Sequence, residues 1–254
     1  MPQQTRRRRR PEEERGSVVA GRRPVLELLQ LGRPIEKVMV ADNLSRSPIL
    51  GEIKRRVARA SVPLRIVPKA ELDRMAEGLN HQGVAAIAGR FRYTPFEKLV
   101  APNDAAVLFV DGVTDPHNLG SLLRSAEGAG FSVAIPAHRA AAVTPTVRRV
   151  SAGAGEIVPV ARVTNLSRAV DEARAAGLWI VGLDGDADEV IWKSDLVEPP
   201  VGLVVGAEDR GISRIVRERC DALVRIPQDG RLGALNVAVA GAVAMFEVVR
   251  RRQG

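Results

Sequence analysis

From Ala106 onward the chain alternates short, near-continuous apolar runs with helical stretches. No other feature constrains its fold as tightly. The runs are Ala106–Val110, Ser132–Ile135, Ile157–Val160, Trp179–Leu183, Gly202–Val205 and Ala222–Ile226. Helical stretches such as Leu166–Ala176 lie between most of them. Strands apolar on both faces must be covered on both faces, which means a mostly parallel sheet flanked by helices. Such sheets hold their ligands beyond the carboxyl ends of the strands. Three segments are placed to do this: DPHNLGSLLR (Asp115 to Arg124), VVGAEDRGI (Val204 to Ile212) and IPQDGRLGALNVAVA (Ile226 to Ala240).

A smaller α/β unit precedes this alternation. Arg22 to Leu31 reads as a helix with Val25, Leu28 and Leu29 on one side and Gly32 as its stop. Ile35–Ala41 is a strand, and Pro48–Ala60 a second helix with Ile49, Ile53 and Val57 spaced four apart. Leu64–Val67 reads as a strand, Lys69–Glu77 as a helix and Gly83–Ala88 as a last strand, ending near Tyr93. Thr94–Asp104 reads as a linker, broken by Pro95, Pro102 and Asn103. The final stretch, Leu235–Arg252, is helical and rich in Ala, Val and Gly, which lets another backbone approach closely.

Charge points to a polyanionic partner. The formal net charge is +8. Residues 1–16 hold six Arg against three Glu, and Arg250, Arg251 and Arg252 add three more. Most of the excess therefore lies in two terminal arms, which read as phosphate-gripping or simply as solvated tails. Aromatic residues are only 3% of the chain, which argues against a stacking platform for bases. The single cysteine, Cys220, fits a reducing compartment. The histidines His81, His117 and His138 are scattered and make no metal-ligand cluster. No apolar run approaches the roughly 20 residues of a membrane helix, and no secretory h-region opens the chain. The expectation is a cytoplasmic protein without metal or membrane.

The three segments carry polar groups that suit chemistry, and each also has a plain structural reading. In the first, Asp115-Pro116 reads as a turn and Asn118 as a helix N-cap. Leu119, Leu122, Leu123 and Ala126 then form an apolar stripe from which Arg124 faces away. On pattern alone Arg124 is a surface arginine. In the second, Gly206 allows close approach to the backbone and Glu208 is a carboxylate at a strand end, or an ordinary helix cap. In the third, Ile226-Pro227 ends a strand and a loop leads through Leu235 and Asn236 into the last helix. A dinucleotide fingerprint is missing, because Gly153-Ala154-Gly155 follows no strand and lacks the third glycine.

Taken together and in order, the three segments resemble the motifs of the SpoU/TrmH family of AdoMet-dependent RNA ribose 2′-O-methyltransferases, from about Ser17 to the C-terminus. They come nearest to the branch that methylates a guanosine of large-subunit (23S) ribosomal RNA. The resemblance implies an α/β fold: a C-terminal methyltransferase domain (106–254) with a parallel sheet and a deep trefoil knot. A ribosomal-protein-like RNA-binding domain (17–93) precedes it, with a linker at 94–105 and a disordered basic tail at 1–16. It implies that Arg124, Asn236, Glu208 and Asn118 are catalytic. Backbone groups of Gly206, Ile226 and Leu235, with Val205 and Asn236 beside them, would hold S-adenosyl-L-methionine. Arg22, Arg23, His81 and Arg124 would meet RNA, although His81 also reads as a loop organiser. It further implies a homodimer through the knotted domain. Arginine keeps its proton in proteins, so a fixed cation that steadies a developing alkoxide is the simpler role for Arg124.

The third segment departs from the family's Ser-Leu-Asn-Val-Ser by reading Ala234-Leu235-Asn236-Val237-Ala238. Loss of a hydroxyl contact would cost about 1 kcal/mol. Transfer RNA, an rRNA adenosine of the resistance type, or a non-catalytic role in RNA binding or ribosome assembly therefore stay open. If the N-terminal arm grips phosphates, deleting residues 1–16 should flatten the salt dependence of RNA binding. A titration series that returns the same slope removes that role from the arm.

Overall fold

The computed structural model describes residues 17–45, 47–230 and 235–253. The Arg-rich segment 1–16 and Ala234 lie outside the described residues. Two compact units make up the chain, one reaching to Phe91 and the other comprising Arg92–Ala142 and Thr146–Gly254.

The first unit is a four-stranded mixed sheet. Its elements are β1 (Ser17–Ala20), α1 (Arg22–Gln30), β2 (Ile35–Ala41), α2 (Pro48–Arg59), β3 (Leu64–Val67), α3 (Lys69–Ala76) and β4 (Val84–Ala88). Strand order is β1-β4-β2-β3, with β4 antiparallel to both neighbours and β2 parallel to β3. In α1 the residues Val25, Leu28 and Leu29 are buried as the periodicity predicts. In α2 the buried stripe is Leu50, Ile53 and Val57, not one beginning at Ile49. Ser47 caps that helix, its Oγ accepting from the Leu50 N–H, and Pro48 takes the first turn. The strand β1, absent from the sequence reading, is four residues long and gains its order by pairing with β4.

The second unit carries α4 (Glu97–Val100), β5 (Ala106–Val110), α5 (Pro116–Ala129), β6 (Ser132–Pro136), α6 (Pro145–Val150), α7 (Ala154–Ile157) and β7 (Val160–Val163). It continues with α8 (Leu166–Ala175), β8 (Trp179–Leu183), β9 (Glu189–Val190), β10 (Val201–Val205), α9 (Arg214–Arg217), β11 (Ala222–Arg225) and α10 (Val237–Gln253). The seven strands are all parallel, in the order β7-β6-β5-β10-β8-β11-β9. Val107 and Phe109 of β5, Ile180 of β8 and Val204 of β10 share one core with Val170 of α8 and with Phe96 and Leu99. The stretch read as a linker thus includes α4, and Phe96 meets Phe109 edge to face at 6.1 Å.

Two further readings are corrected. The strand expected at Ile157–Val160 begins only at Val160, because Ala154–Ile157 coils into α7. Glu156 of that turn forms a buried ion pair with Arg148 of α6. The cap of α5 is Asp115 rather than Asn118: Asp115 Oδ1 accepts from the His117 N–H at 2.9 Å, and Pro116 starts the helix. Asn118 lies one turn inside, 8% exposed, and its side chain is left for other work.

The last helix packs back on α5. A Cβ at Gly241 would lie 2.5 Å from Leu122 Cδ2 and 3.5 Å from Val205 Cγ1, so the two helices touch through the absence of a side chain. Its terminal arginines are not a free arm. Arg250 and Arg251 both bond the carboxylate of Glu247, which is 5% exposed, and Arg251 also donates to the carbonyls of Ile191 and Trp192. Arg252 donates to the Asp104 carbonyl. Among the described residues no helix is long and apolar enough to cross a membrane.

The Arg250 guanidinium foremost, and Arg251 with it, hold the Glu247 carboxyl below its ordinary 4.5 against the opposing effect of burial. A depressed carboxyl contributes stability above its unfolded pKa and loses it as pH falls through the lower folded value. Glu247→Gln should therefore cost about 1–2 kcal/mol at neutral pH. Urea midpoints of the two proteins should differ steadily above about pH 5.5 and converge as the pH drops below about 4.5. A gap that persists unchanged in acid would remove the ion-pair origin.

Candidate active site

A cleft of about 350 Å³ opens at the carboxyl ends of β8, β10 and β11, where a parallel sheet is expected to bind its ligand. Gly206, Ile226 and Leu235 line it together, although they come from different segments of the chain. Leu183, Ile212 and Val224 add apolar walls suited to a flat heterocycle, and Glu208 and Asp184 add polar groups. Val205 does not line the cleft. It is 1% exposed at the end of β10, and its carbonyl accepts from the Asp111 N–H.

Gly206 is required by the turn that follows it. A Cβ there would overlap the backbone of Gly211 and Ile212, because the chain doubles back at once. Two backbone bonds clamp that reversal: Ala207 N–H to the Gly211 carbonyl at 3.1 Å, and Gly211 N–H to the Ala207 carbonyl at 2.8 Å. Glu208, Asp209 and Arg210 form its exposed tip.

Asn236 joins the three motifs. Its Oδ1 accepts from the backbone N–H of Ala238 at 2.9 Å and of Val239 at 3.3 Å, which caps α10. Its Nδ2 donates to Asn118 Oδ1 at 2.9 Å and to Glu208 Oε1 at 2.5 Å. A single side-chain amide thus binds the start of α5, the tip after β10 and its own helix into one cluster at the cleft. Arg124 is exposed on α5, a turn and a half beyond Asn118. Among the described residues it makes no hydrogen bond or ion pair, so its guanidinium faces solvent uncommitted.

The far wall of the cleft holds groups that the motif reading passed over. Asp184 follows β8, pairs with Arg217 Nη2 at 3.0 Å and accepts from the Asp186 N–H. Its place at the end of a parallel strand was the available signal. Cys220 does not line the cleft; it packs against Gly182 of β8, and burial pushes its thiol up to about 12, which leaves it protonated and inert. Among the described residues no group of His, Cys, Asp and Glu could hold a metal ion.

In the first unit Arg22 donates from Nε to the Gln82 carbonyl at 3.0 Å and from Nη1 to Ser47 Oγ at 3.3 Å, while Arg23 is exposed beside it. His81 is 7% exposed and both ring nitrogens are engaged. Nδ1 accepts from the Gly83 N–H at 3.0 Å, so Nε2 carries the proton and donates to Asp73 Oδ1 at 2.8 Å. The geometry gives His81 the turn-organising role that was its other reading.

Comparison with known proteins places these features in context. A profile of the SpoU rRNA Methylase family matches residues 105–246. A profile for RNA 2′-O ribose methyltransferase substrate binding matches residues 18–94. A candidate TrmH family tRNA/rRNA methyltransferase of Staphylococcus saprophyticus is 37% identical over 241 residues, covering 92% of this chain and 96% of that one. Among solved structures, the AdoMet-bound rRNA methyltransferase of Sinorhizobium meliloti superposes with a TM-score of 0.80 at 25% identity, over 94% of this chain and 89% of its own. The SpoU methyltransferase AviRb of Streptomyces viridochromogenes with AdoMet gives 0.75 at 26%, over 93% and 90%.

Asn236→Ala removes cap and bridge together and should cost about 1–2 kcal/mol of stability. Asn236→Ser should recover most of that, because the hydroxyl restores the cap but cannot reach both Asn118 and Glu208. Thermal unfolding of the pair tests the division. Equal loss in both variants would mean that the bridge, not the cap, supports the helix.

Proposed function

The chain belongs to the SpoU/TrmH family of RNA methyltransferases, and on that premise we propose that it methylates the ribose 2′-hydroxyl of a guanosine in large-subunit (23S) rRNA, with AdoMet as donor. The observation that carries this reading is the bond from Asn236 to both Asn118 and Glu208, which gathers the three motifs around one cleft.

The cleft fits the donor. Gly206, Ile226 and Leu235 present backbone groups, and Leu183, Ile212 and Val224 an apolar slot for the adenine. AdoMet supplies a sulfonium that activates the transferred methyl group. The protein's part is alignment and charge. Asn118, Glu208 and Asn236 form a rigid polar edge against which the target ribose is oriented. Arg124 steadies the developing alkoxide or an adjoining phosphate with its guanidinium. The hydroxyl proton leaves to water, since Arg124, Glu208 and Asn236 all reach solvent.

The rest of the reading follows the same premise. Arg22 and Arg23 stand at the start of α1, where backbone N–H groups and guanidinium favour RNA phosphates. Val239 and Phe246 are 49% and 48% exposed on one side of α10, with Ala242 and Val243 between them. That apolar stripe supports a homodimer through the second unit. The knotted threading of the last segment and a cytoplasmic location belong to the same proposal, the latter supported by the single, half-buried Cys220. A non-catalytic RNA-binding role is favoured by one observation, the alanines at 234 and 238 where relatives of the family carry serine.

The deciding assay is methyl transfer from labelled AdoMet to 23S rRNA and to transfer RNA. Wild type should label one ribose of the rRNA, and Arg124→Ala should lower turnover by about 10²–10³. Arg124→Lys should remain well below wild type, because the charge survives but the fork does not. Label on transfer RNA alone would overturn the ribosomal assignment. AdoMet binding without transfer to either RNA would favour the binding role.

A further inference from the structure

Arg210, within the second motif, is a cation at the cleft that no carboxylate among the described residues neutralises. It lines the cleft and is exposed. Among the described residues it makes no hydrogen bond or ion pair. Arg217, the other cation of the wall, is neutralised by Asp184 at 3.0 Å.

The position of Arg210 is built rather than accidental. It stands on the tip of the Ala207–Gly211 reversal, two residues from Glu208, and the same two backbone bonds clamp both. Glu208 turns toward Asn236. Arg210 turns the other way and lies over Gly112, in the loop between β5 and α5. A Cβ at Gly112 would be 2.5 Å from Nη2 and 3.4 Å from Cζ of Arg210, so the guanidinium rests directly on the glycine. Gly112 itself has φ +73° and is buried. The loop it belongs to leads directly to Asp115, Asn118 and Arg124. An uncommitted guanidinium is therefore seated at the cleft, over the loop that leads into α5 and two residues from Glu208.

We propose that Arg210 is a positioning residue that binds a phosphate of the RNA next to the target ribose. The inference rests on the reading of the cleft as a ribose methylation site. Its chemistry is recognition of an anionic oxygen group by an arginine fork. Two sources offer such a group: an RNA phosphate and the carboxylate of the donor's methionine moiety. The RNA phosphate is the better match, because Arg210 is exposed at the mouth and an approaching polyanion must pass it.

The test uses the full chain as wild type, Arg210→Ala and Arg210→Lys. AdoMet affinity is read by calorimetry, binding to a 23S rRNA transcript across a salt series, and transfer as separate kcat and KM. The expectation for Arg210→Ala is about a tenfold weaker RNA affinity and higher KM, with kcat at saturating RNA within about threefold. The slope of log affinity against log salt should fall by about 0.7–0.9. AdoMet affinity should stay within about twofold. Arg210→Lys should recover most of the RNA affinity, since a phosphate accepts a point charge. Thermal unfolding should be unchanged, as the side chain is exposed and unpaired.

Weaker AdoMet binding with an unaltered RNA salt slope would overturn the proposal and assign Arg210 to the donor's carboxylate. RNA binding by wild type no tighter than by Arg210→Ala would overturn it outright. Failure of the wider reading looks different. A wild type that transfers no methyl group refutes the methylation assignment, while the binding arms still decide whether Arg210 meets phosphate.

Discussion

The side-chain amide of Asn236 has one oxygen and one nitrogen, and the site uses both to capacity. The oxygen closes the first turn of α10 and the nitrogen spans Asn118 on α5 and Glu208 on the turn after β10. Each of those groups is otherwise held by its own element: Asn118 by a helix capped at Asp115, Glu208 by a reversal clamped with two backbone bonds. The amide therefore sets their separation without having to build either one. Such an arrangement removes rotamer freedom at the reacting edge before any substrate arrives, which is where orientation has its largest effect. Gly241 makes it possible, because α10 reaches Asn118's helix only where Leu122 meets no side chain.

Local structure was legible where one period decided the outcome. The stripe Val25, Leu28 and Leu29 and the central strands β5, β8 and β10 follow from spacing and apolar content alone. Legibility failed where a distant group chose between two local answers. Ile49 and Leu50 fit the same helical pattern, and packing buried Leu50. Asn118 is a good cap in isolation, but Asp115 with Pro116 starts the helix earlier. Ile157–Val160 is apolar enough for a strand, but Ile157 ends the short helix α7 and the strand begins only at Val160. No local pattern contains that information.

The site divides the same way. Resemblance singled out Asn118, Glu208 and Asn236, and the fold brings them within hydrogen-bonding distance. Their meeting depends on strand order, since residues 118 and 236 are brought together by β5 and β10 lying side by side and α10 folding back. Gly206 and Val205 adjoin in sequence and still part ways: one lines the cleft and the other packs beneath it.

Net charge proved a poor map of where anions would bind. Arg148, Arg217 and Arg251 each answer an internal carboxylate, and the terminal arginines that dominate the sequence count include two bound to Glu247. Arg210 lines the second unit's cleft with no partner among the described residues, and Arg124 is likewise unpaired among them on the exposed side of α5. They are presented by different elements, one by the exposed side of a long helix and one by the tip of a strapped turn over a glycine. An arginine in neither an ion pair nor a core costs the fold nothing to keep and nothing to lose. Gly112 beneath Arg210 has φ +73°, which glycine adopts readily, and its missing side chain leaves room for the guanidinium. An exposed arginine that no carboxylate holds can meet an anion, so the pairing of each cation, rather than the net charge, marks where a polyanion can bind.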